Sequence, residues 1–321
     1  MNRLCSLVSI ATVTALLISG CSGSDVDEAS ATNGGTAASP STDATPSAAT
    51  SGHLSEVSIP VADGADVDGL VNVRGHDLAV HCTGSGSPTV VILHGWIDQP
   101  GVTSHDYYGP LTSELKRDFR VCSYDRANVG DSETVEGTQT PEMVVGDLDG
   151  LMEAIGDAGP YVLIGQSAGG MVASAYAVAH PEKVAGIVMV DASFDDEITV
   201  EDVGMVTEGS GPCDPINRTA DGQQSLQKID NCAIYKWAYE RRSLRPKVPL
   251  VYLAAKQAPW SDRSEFGPKY TKAIVPLQKS YAASWSPGKF EWVDSGHEIH
   301  VEQPAVVAEA VHWVVDEGSS H

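Results

Sequence analysis

Residues 161–170 read Tyr-Val-Leu-Ile-Gly-Gln-Ser-Ala-Gly-Gly, a pattern that presents a serine hydroxyl to attack a carbonyl. An apolar run, Tyr161 to Ile164, enters Gly165-Gln166-Ser167-Ala168-Gly169, and the helix-like MVASAYAVAH follows. Strand, G-x-S-x-G and helix in that order form a nucleophile elbow, a sharp turn that exposes the serine above a sheet. The flanking glycines are required because a Cβ there would collide with the neighbouring strand and helix. A serine hydroxyl attacks poorly at neutral pH unless a base takes its proton as the bond forms. The developing oxyanion also needs two hydrogen-bond donors aimed at it. The rest of the chain must bring a base, a group that orients the base, and those donors to the same edge of one sheet.

Strand-like runs fall near 70–74, 78–83, 89–93, 119–124, 161–165, 185–191, 249–254 and 289–293. Helix-like stretches at 108–117, 141–156, 169–180, 268–284 and 304–316 separate them. In 141–156, Met143, Val144, Leu148, Leu151, Met152 and Ile155 form one apolar stripe at helical spacing. Strands alternating with helices imply an α/β domain, a mostly parallel sheet of about eight strands with helices on both faces. Ligands in such sheets bind at the carboxyl ends of the strands, where every chemically suggestive residue of this chain falls. No internal repeat is visible.

The chain opens MNRLCSLVSIATVTALLISGCSG: Arg3, an apolar core from Leu4 to Ile18, then Ile18-Ser19-Gly20-Cys21. This resembles a bacterial lipoprotein signal over residues 1–20, after which Cys21 carries the lipid; the competing expectation is an ordinary secretory signal. The apolar stretch is shorter than the roughly 20 residues a spanning helix needs. The expectation is therefore an extracytoplasmic protein held to the membrane by lipid on Cys21 and not spanning it. Residues 21–54, rich in Ser, Thr, Ala and Gly, bury too little apolar surface to order and read as a tether. Residues 55–321 are expected to form the single folded domain.

With 20 basic and 43 acidic residues the formal charge is -23, which disfavours nucleic acid and electrostatic attachment to anionic lipid. Four cysteines follow Cys21, and an even number in an oxidising compartment suggests disulfides. Cys213 and Cys232 lie in one polar insertion that their bridge would close. Cys82 (in LAVHC) and Cys122 (in FRVCSYD) would form a second bridge if their strands are neighbours. No C-x-x-C pair or H-E-x-x-H pattern appears, so neither metal nor cofactor is implied.

PTVVILHGW (88–96), VCSYDRANVGDS (121–132), VLIGQSAGG (162–170), AGIVMVDAS (185–193), VPLVYLAA (248–255) and VDSGHEIHVEQPAVVAEAV (293–311) occur in a telling order. Together they resemble an α/β-hydrolase of the serine-nucleophile kind over roughly residues 70–316. The resemblance makes the second and fourth strands neighbours, which favours the Cys82–Cys122 bridge. It implies Ser167 as nucleophile and His297, in Val293-Asp294-Ser295-Gly296-His297, as base, with His300 in the same loop structural or substrate-facing. The backbone amides of Trp96, after the His94-Gly95 pair, and of Ala168 would bind the oxyanion. The Trp96 indole would alternatively wall the acyl pocket. Tyr124-Asp125-Arg126 and Gly130-Asp131-Ser132 would brace a turn behind the site.

The acid departs from the commonest pattern. Many relatives carry it about nine residues beyond the proline that opens the penultimate strand, but counting from Pro249 reaches Ala258. Some take it from the end of the strand after the nucleophile helix, here Val188-Met189-Val190-Asp191. Asp191 is the first choice, with Asp262, Asp195 and Asp196 open. Residues of about 194–247 occupy the place of a cap, short, polar and with a helix-like IYKWAYERRSL. The expected function is hydrolysis of carboxylic esters through an acyl-enzyme at the outer face of the membrane, on soluble or modestly sized small-molecule esters. Alternatives are amidase or peptidase, thioesterase or perhydrolase chemistry on the same groups, or a non-catalytic surface binding lipoprotein. The sequence gives no oligomeric state.

Overall fold

The computed structural model describes residues 54–320 apart from 60–63, 98, 200–226 and 258–266. The leader, Cys21, the tether, Cys213, Asp262 and much of the cap insertion lie outside the described residues. One eight-stranded sheet carries the domain, in the order β1-β2-β4-β3-β5-β6-β7-β8. The strands are β1 Val67–Val73, β2 His76–Thr83, β3 Val90–Leu93, β4 Val121–Tyr124, β5 Tyr161–Gln166, β6 Val184–Val190, β7 Leu250–Ala255 and β8 Gly288–Val293. Antiparallel pairing is confined to β1–β2 and β2–β4; β4 onward is parallel.

The central strands form because they are apolar on both sides. Val91, Leu93 and Leu163 point into one layer while Val90, Ile92, Val162 and Ile164 point into the other. Buried on both faces, a parallel strand reads as a continuous apolar run and not as an alternation. The first layer is covered by α3 Pro141–Ala154, α4 Gly169–Ala179, α5 Asn231–Glu240 and α6 Gly267–Ala283, the second by α2 Gly109–Leu115 and α8 Pro304–Gly318. Thr140 caps α3 by accepting from Met143 N–H, with Pro141 at the first turn, where its missing donor costs nothing. Val144, Leu148, Leu151, Met152 and Ile155 of the stripe are buried, and Met143 is half-buried.

Two sequence readings are refined. The helix expected over 108–117 is α2, Gly109–Leu115, and a short helix that the sequence reading did not include, α1 Ser104–Tyr107, precedes it with a break at Tyr108. Pro110 has no N–H to give to the carbonyl of Asp106, so one continuous helix would leave that acceptor unpaired. The break turns the Tyr108 side chain, fully buried, into the site described below. A short helix, α7 Ile299–Glu302, also precedes α8.

β2 and β4 are neighbours in the register Cys82↔Cys122, and the two thiols are joined as a disulfide. Bridging a separation of 40 residues contributes roughly 4 kcal/mol in the chain-entropy account. Cys232, at the start of α5, is also disulfide-bonded.

Candidate active site

Ser167 directly follows β5 and has φ +49°, left-handed backbone that side chains seldom adopt. Its conformation is held from both ends of the residue. The Ser167 N–H donates to Val190 O of β6 (3.1 Å), and the Ser167 carbonyl accepts from Ser193 N (2.9 Å) and Gly170 N (3.0 Å). A Cβ on Gly165 would lie 2.6 Å from Gly170 Cα, and one on Gly169 would strike the Leu93 carbonyl. Strand and helix can therefore cross at this turn only with glycine on both sides of it.

Beyond β8, Ser295 Oγ and Gly296 N–H both donate to Glu302 Oε2 (3.0 and 2.9 Å), which shapes the loop carrying His297. His297 Nδ1 lies 2.8 Å from Asp191 Oδ2. Asp191 is the first residue after β6 and also has positive φ, +41°. Its N–H donates to Leu253 O (2.8 Å), and its second carboxylate oxygen, Oδ1, accepts from Ala255 N (3.0 Å). The carboxylate is thus fixed to β7 by one oxygen and faces the imidazole with the other. Asp195 and Asp196 instead bind Arg245 (2.6 and 3.3 Å), whose guanidinium lies over Tyr281. Asp262 lies outside the described residues.

An imidazole that donates from Nδ1 carries its lone pair on Nε2. His297 Nε2 is 3.4 Å from the amide Nε2 of Gln166, the residue preceding Ser167. No hydrogen bond joins Ser167 Oγ to His297 among the described residues; such contacts are often long before substrate binds. Trp96 follows β3 and Ala168 caps α4, and neither amide N–H meets an acceptor among the described residues. Trp96 as a residue is 37% exposed.

Sequence reasoning passed over Gln166 and Tyr108. The Tyr108 hydroxyl accepts from Gly95 N–H (3.0 Å) and donates to Gln166 Oε1 (2.9 Å), which turns the Gln166 amide nitrogen toward His297. The break before Pro110 is the signal that would have found Tyr108. His300 is fully buried and stacked on Tyr108 at 4.4 Å. Burial, with His297 adding to it, pulls its pKa down to about 3, so it stays neutral. Glu298, 3.5 Å away, is therefore no ion-pair partner. The Asp-Arg and Gly-Asp-Ser segments brace the neighbouring loops: Asp125 accepts from the N–H groups of Ser104 (2.6 Å) and Asp131 (3.0 Å), and Ser132 Oγ donates to Asp125 O (2.6 Å). Among the described residues no cluster of His, Cys, Asp and Glu is placed to hold a metal ion.

Glu197, in the 3-10 turn Asp195–Thr199 beneath α5, adds a pH dependence. Burial pushes its carboxyl up to about 8; the charges of Asp195 and Asp191 act in the same direction, while the Tyr235 hydroxyl, which donates to Oε2 (3.2 Å), pulls it back. The folded state therefore holds a proton that the unfolded chain releases near 4.5. Its contribution to stability falls as pH rises from about 4.5 through about 8. Glu197→Gln, neutral at every pH, is expected to flatten that decline. Denaturant midpoints at pH 5 and pH 9 check it: the midpoint of the variant should gain on wild type at pH 9. An equal offset at both values would refute the assignment.

A family model described as the alpha/beta hydrolase fold matches residues 88–209, from β3 through the nucleophile turn and past Asp191. The chain is 30% identical over 234 residues to a 2-hydroxy-6-oxo-2,4-heptadienoate hydrolase of Pseudomonas putida, covering 72% of each protein. It is 35% identical over 118 residues to a pimeloyl-[acyl-carrier protein] methyl ester esterase of Shewanella woodyi, 36% of this chain and 40% of that one. In structure it resembles a thermophilic esterase from Thermogutta terrifontis (TM-score 0.50, 21% identity, 80% of this chain and 99% of that one). The sheet order, the strand–serine turn–helix unit and a relative aligned over most of both lengths converge on one assignment: this chain is a member of the α/β hydrolase fold family, a family of hydrolases and esterases.

Proposed function

We propose that the protein is a serine hydrolase that cleaves carboxylic esters through an acyl-enzyme. The observation that carries this reading is the 2.8 Å contact of His297 Nδ1 with Asp191, which leaves the Nε2 lone pair facing the turn that bears Ser167. Ser167 Oγ attacks the ester carbonyl carbon while its proton passes to His297 Nε2. The carbonyl oxygen becomes an oxyanion that the Trp96 and Ala168 amides stabilise. Collapse of the tetrahedral adduct breaks the bond to the alcohol, which leaves with the proton from His297. Water then repeats the sequence: it gives a proton to His297, attacks the acyl carbon, and releases the acid and the free serine. Asp191 holds the imidazole in the required tautomer and stabilises the imidazolium. The reading includes export and a lipid on Cys21, so that the domain works at the outer face of the membrane on soluble or modestly sized esters.

The test is turnover of p-nitrophenyl esters from acetate to palmitate by the purified protein, with matched amides and thioesters alongside, plus labelling by a fluorophosphonate. Short and medium acyl chains are expected to be cleaved faster than palmitate, and esters faster than amides. Folded protein that turns over none of the esters and takes up no fluorophosphonate would overturn the proposal. Preference for the amide or thioester would reassign the substrate while keeping the machinery.

A further inference from the structure

The loop that carries the Trp96 amide is gripped from behind by two buried side chains distant in sequence. Arg126, just past β4, donates from Nη1 to His94 O (2.6 Å), and from Nη2 to Gly95 O (2.8 Å) and to Gln227 Oε1 (2.7 Å). Its own backbone N–H donates to His94 Nε2 (3.1 Å), and His94 Nδ1 donates to Gly95 O (2.8 Å). Gln227, at the root where the cap insertion rejoins the core, donates from Nε2 to Ile97 O (3.4 Å). That root is itself fastened: Gln139 Nε2 donates to Gln227 O (2.5 Å), and Gln139 exchanges backbone bonds with Lys228 and Asp230. Arg126 is 2% exposed and Gln227 is 0%.

A peptide unit is planar and trans, so the Gly95 carbonyl and the Trp96 N–H point in opposite directions along one rigid plane. Two donors on Gly95 O, one of them charged, therefore aim Trp96 N–H away from Arg126 and toward the site. A guanidinium on that carbonyl also polarises the unit and strengthens the amide as a donor. We propose that Arg126 and Gln227 are positioning residues of the oxyanion hole, so that the cap root, through Gln227, helps set the Trp96 amide. The proposal rests on the serine-hydrolase reading above.

The experiment compares full-length wild type with Gln227→Met, which keeps bulk but has neither donor nor fork acceptor, and with Arg126→Lys, which keeps charge but loses the fork. Fluorophosphonate titration counts active sites, so rates are expressed per competent serine. Loss of an entire oxyanion donor costs about 10²–10³ in rate. Misaiming one is expected to lower kcat about tenfold in Gln227→Met and about a hundredfold in Arg126→Lys, with KM little changed. The Ki of a trifluoromethyl ketone, whose serine adduct places an oxyanion in the hole, should rise by the same factor as kcat/KM falls. A merely structural role would lower the number of titratable serines and leave kcat per site and the ketone Ki at wild-type values; that result overturns the proposal. Should Arg126→Lys fail to fold, Gln227→Met decides alone. Wild type without turnover or adduct would instead remove the serine-hydrolase reading, and this proposal with it.

Discussion

Ser167→Ala is expected to lower kcat by roughly 10⁴–10⁶, the range seen when the nucleophile of a serine–histidine pair is removed. Little change in stability should accompany it. Ser167 Oγ makes no hydrogen bond among the described residues, so truncation orphans no partner. The bonds that fix the turn, to Val190, Gly170 and Ser193, come from the backbone and survive the change. Alanine carries the same Cβ into the +49° conformation and adds no new strain. The measurements are kcat on the best ester of the series, the thermal midpoint, and fluorophosphonate uptake, which should vanish. Activity within tenfold of wild type in the alanine variant would mean that another group attacks, and the role of His297 would then have to be re-derived. A loss of activity accompanied by a large fall in the midpoint would point to the turn itself, and the uncharged Ser167→Cys variant, same shape with a different nucleophile, would separate the two.

The fold was legible for a physical reason. VVIL, YVLIGQ, VAGIVMV and LVYLAA are buried on both faces, so each strand announces itself as an unbroken apolar run between polar turns. The Cys82–Cys122 bridge was favoured through the resemblance, which makes β2 and β4 neighbours, and the observed register sets the two cysteines opposite each other. Of the polar layer behind the site, the bracing role of Asp125 and Arg126 was implied by the resemblance, but the partner that Arg126 meets there, Gln227, was not legible. Arg126 and Gln227 are 101 positions apart, and nothing in either local sequence announces the other. The same limit left the acid open. Asp191, Asp195 and Asp196 all follow β6 within a few residues, and what separates them is Arg245, about 50 positions on, which occupies the latter two. Local pattern finds elements; partners that meet only through the fold, each a polar group that must be satisfied when buried, lie beyond its reach.

Asp191→Asn is expected to reduce kcat by about 10⁴ while leaving the fold in place, and the geometry states why. Both carboxylate oxygens are engaged: Oδ1 accepts from Ala255 N–H at 3.0 Å and Oδ2 faces His297 Nδ1 at 2.8 Å. An asparagine must keep its one oxygen on the Ala255 amide, since its NH₂ cannot accept from that donor. The NH₂ is then forced to face His297 and can only donate. Nδ1 becomes the acceptor, the imidazole proton moves to Nε2, and the ring no longer offers a lone pair to the Ser167 hydroxyl. The result is a histidine in the right place and the wrong tautomer. Two-dimensional nitrogen–proton spectra of His297 should show the proton exchanged between the ring nitrogens, a change that simple loss of packing would not produce. Asp195→Asn is the control. It weakens the bridge to Arg245 and so should lower the denaturant midpoint, yet keep kcat near wild type, because Asp195 has no contact with the imidazole. If Asp191→Asn retains more than about a tenth of wild-type kcat, or if Asp195→Asn is the variant that fails, the orienting acid lies elsewhere in the chain.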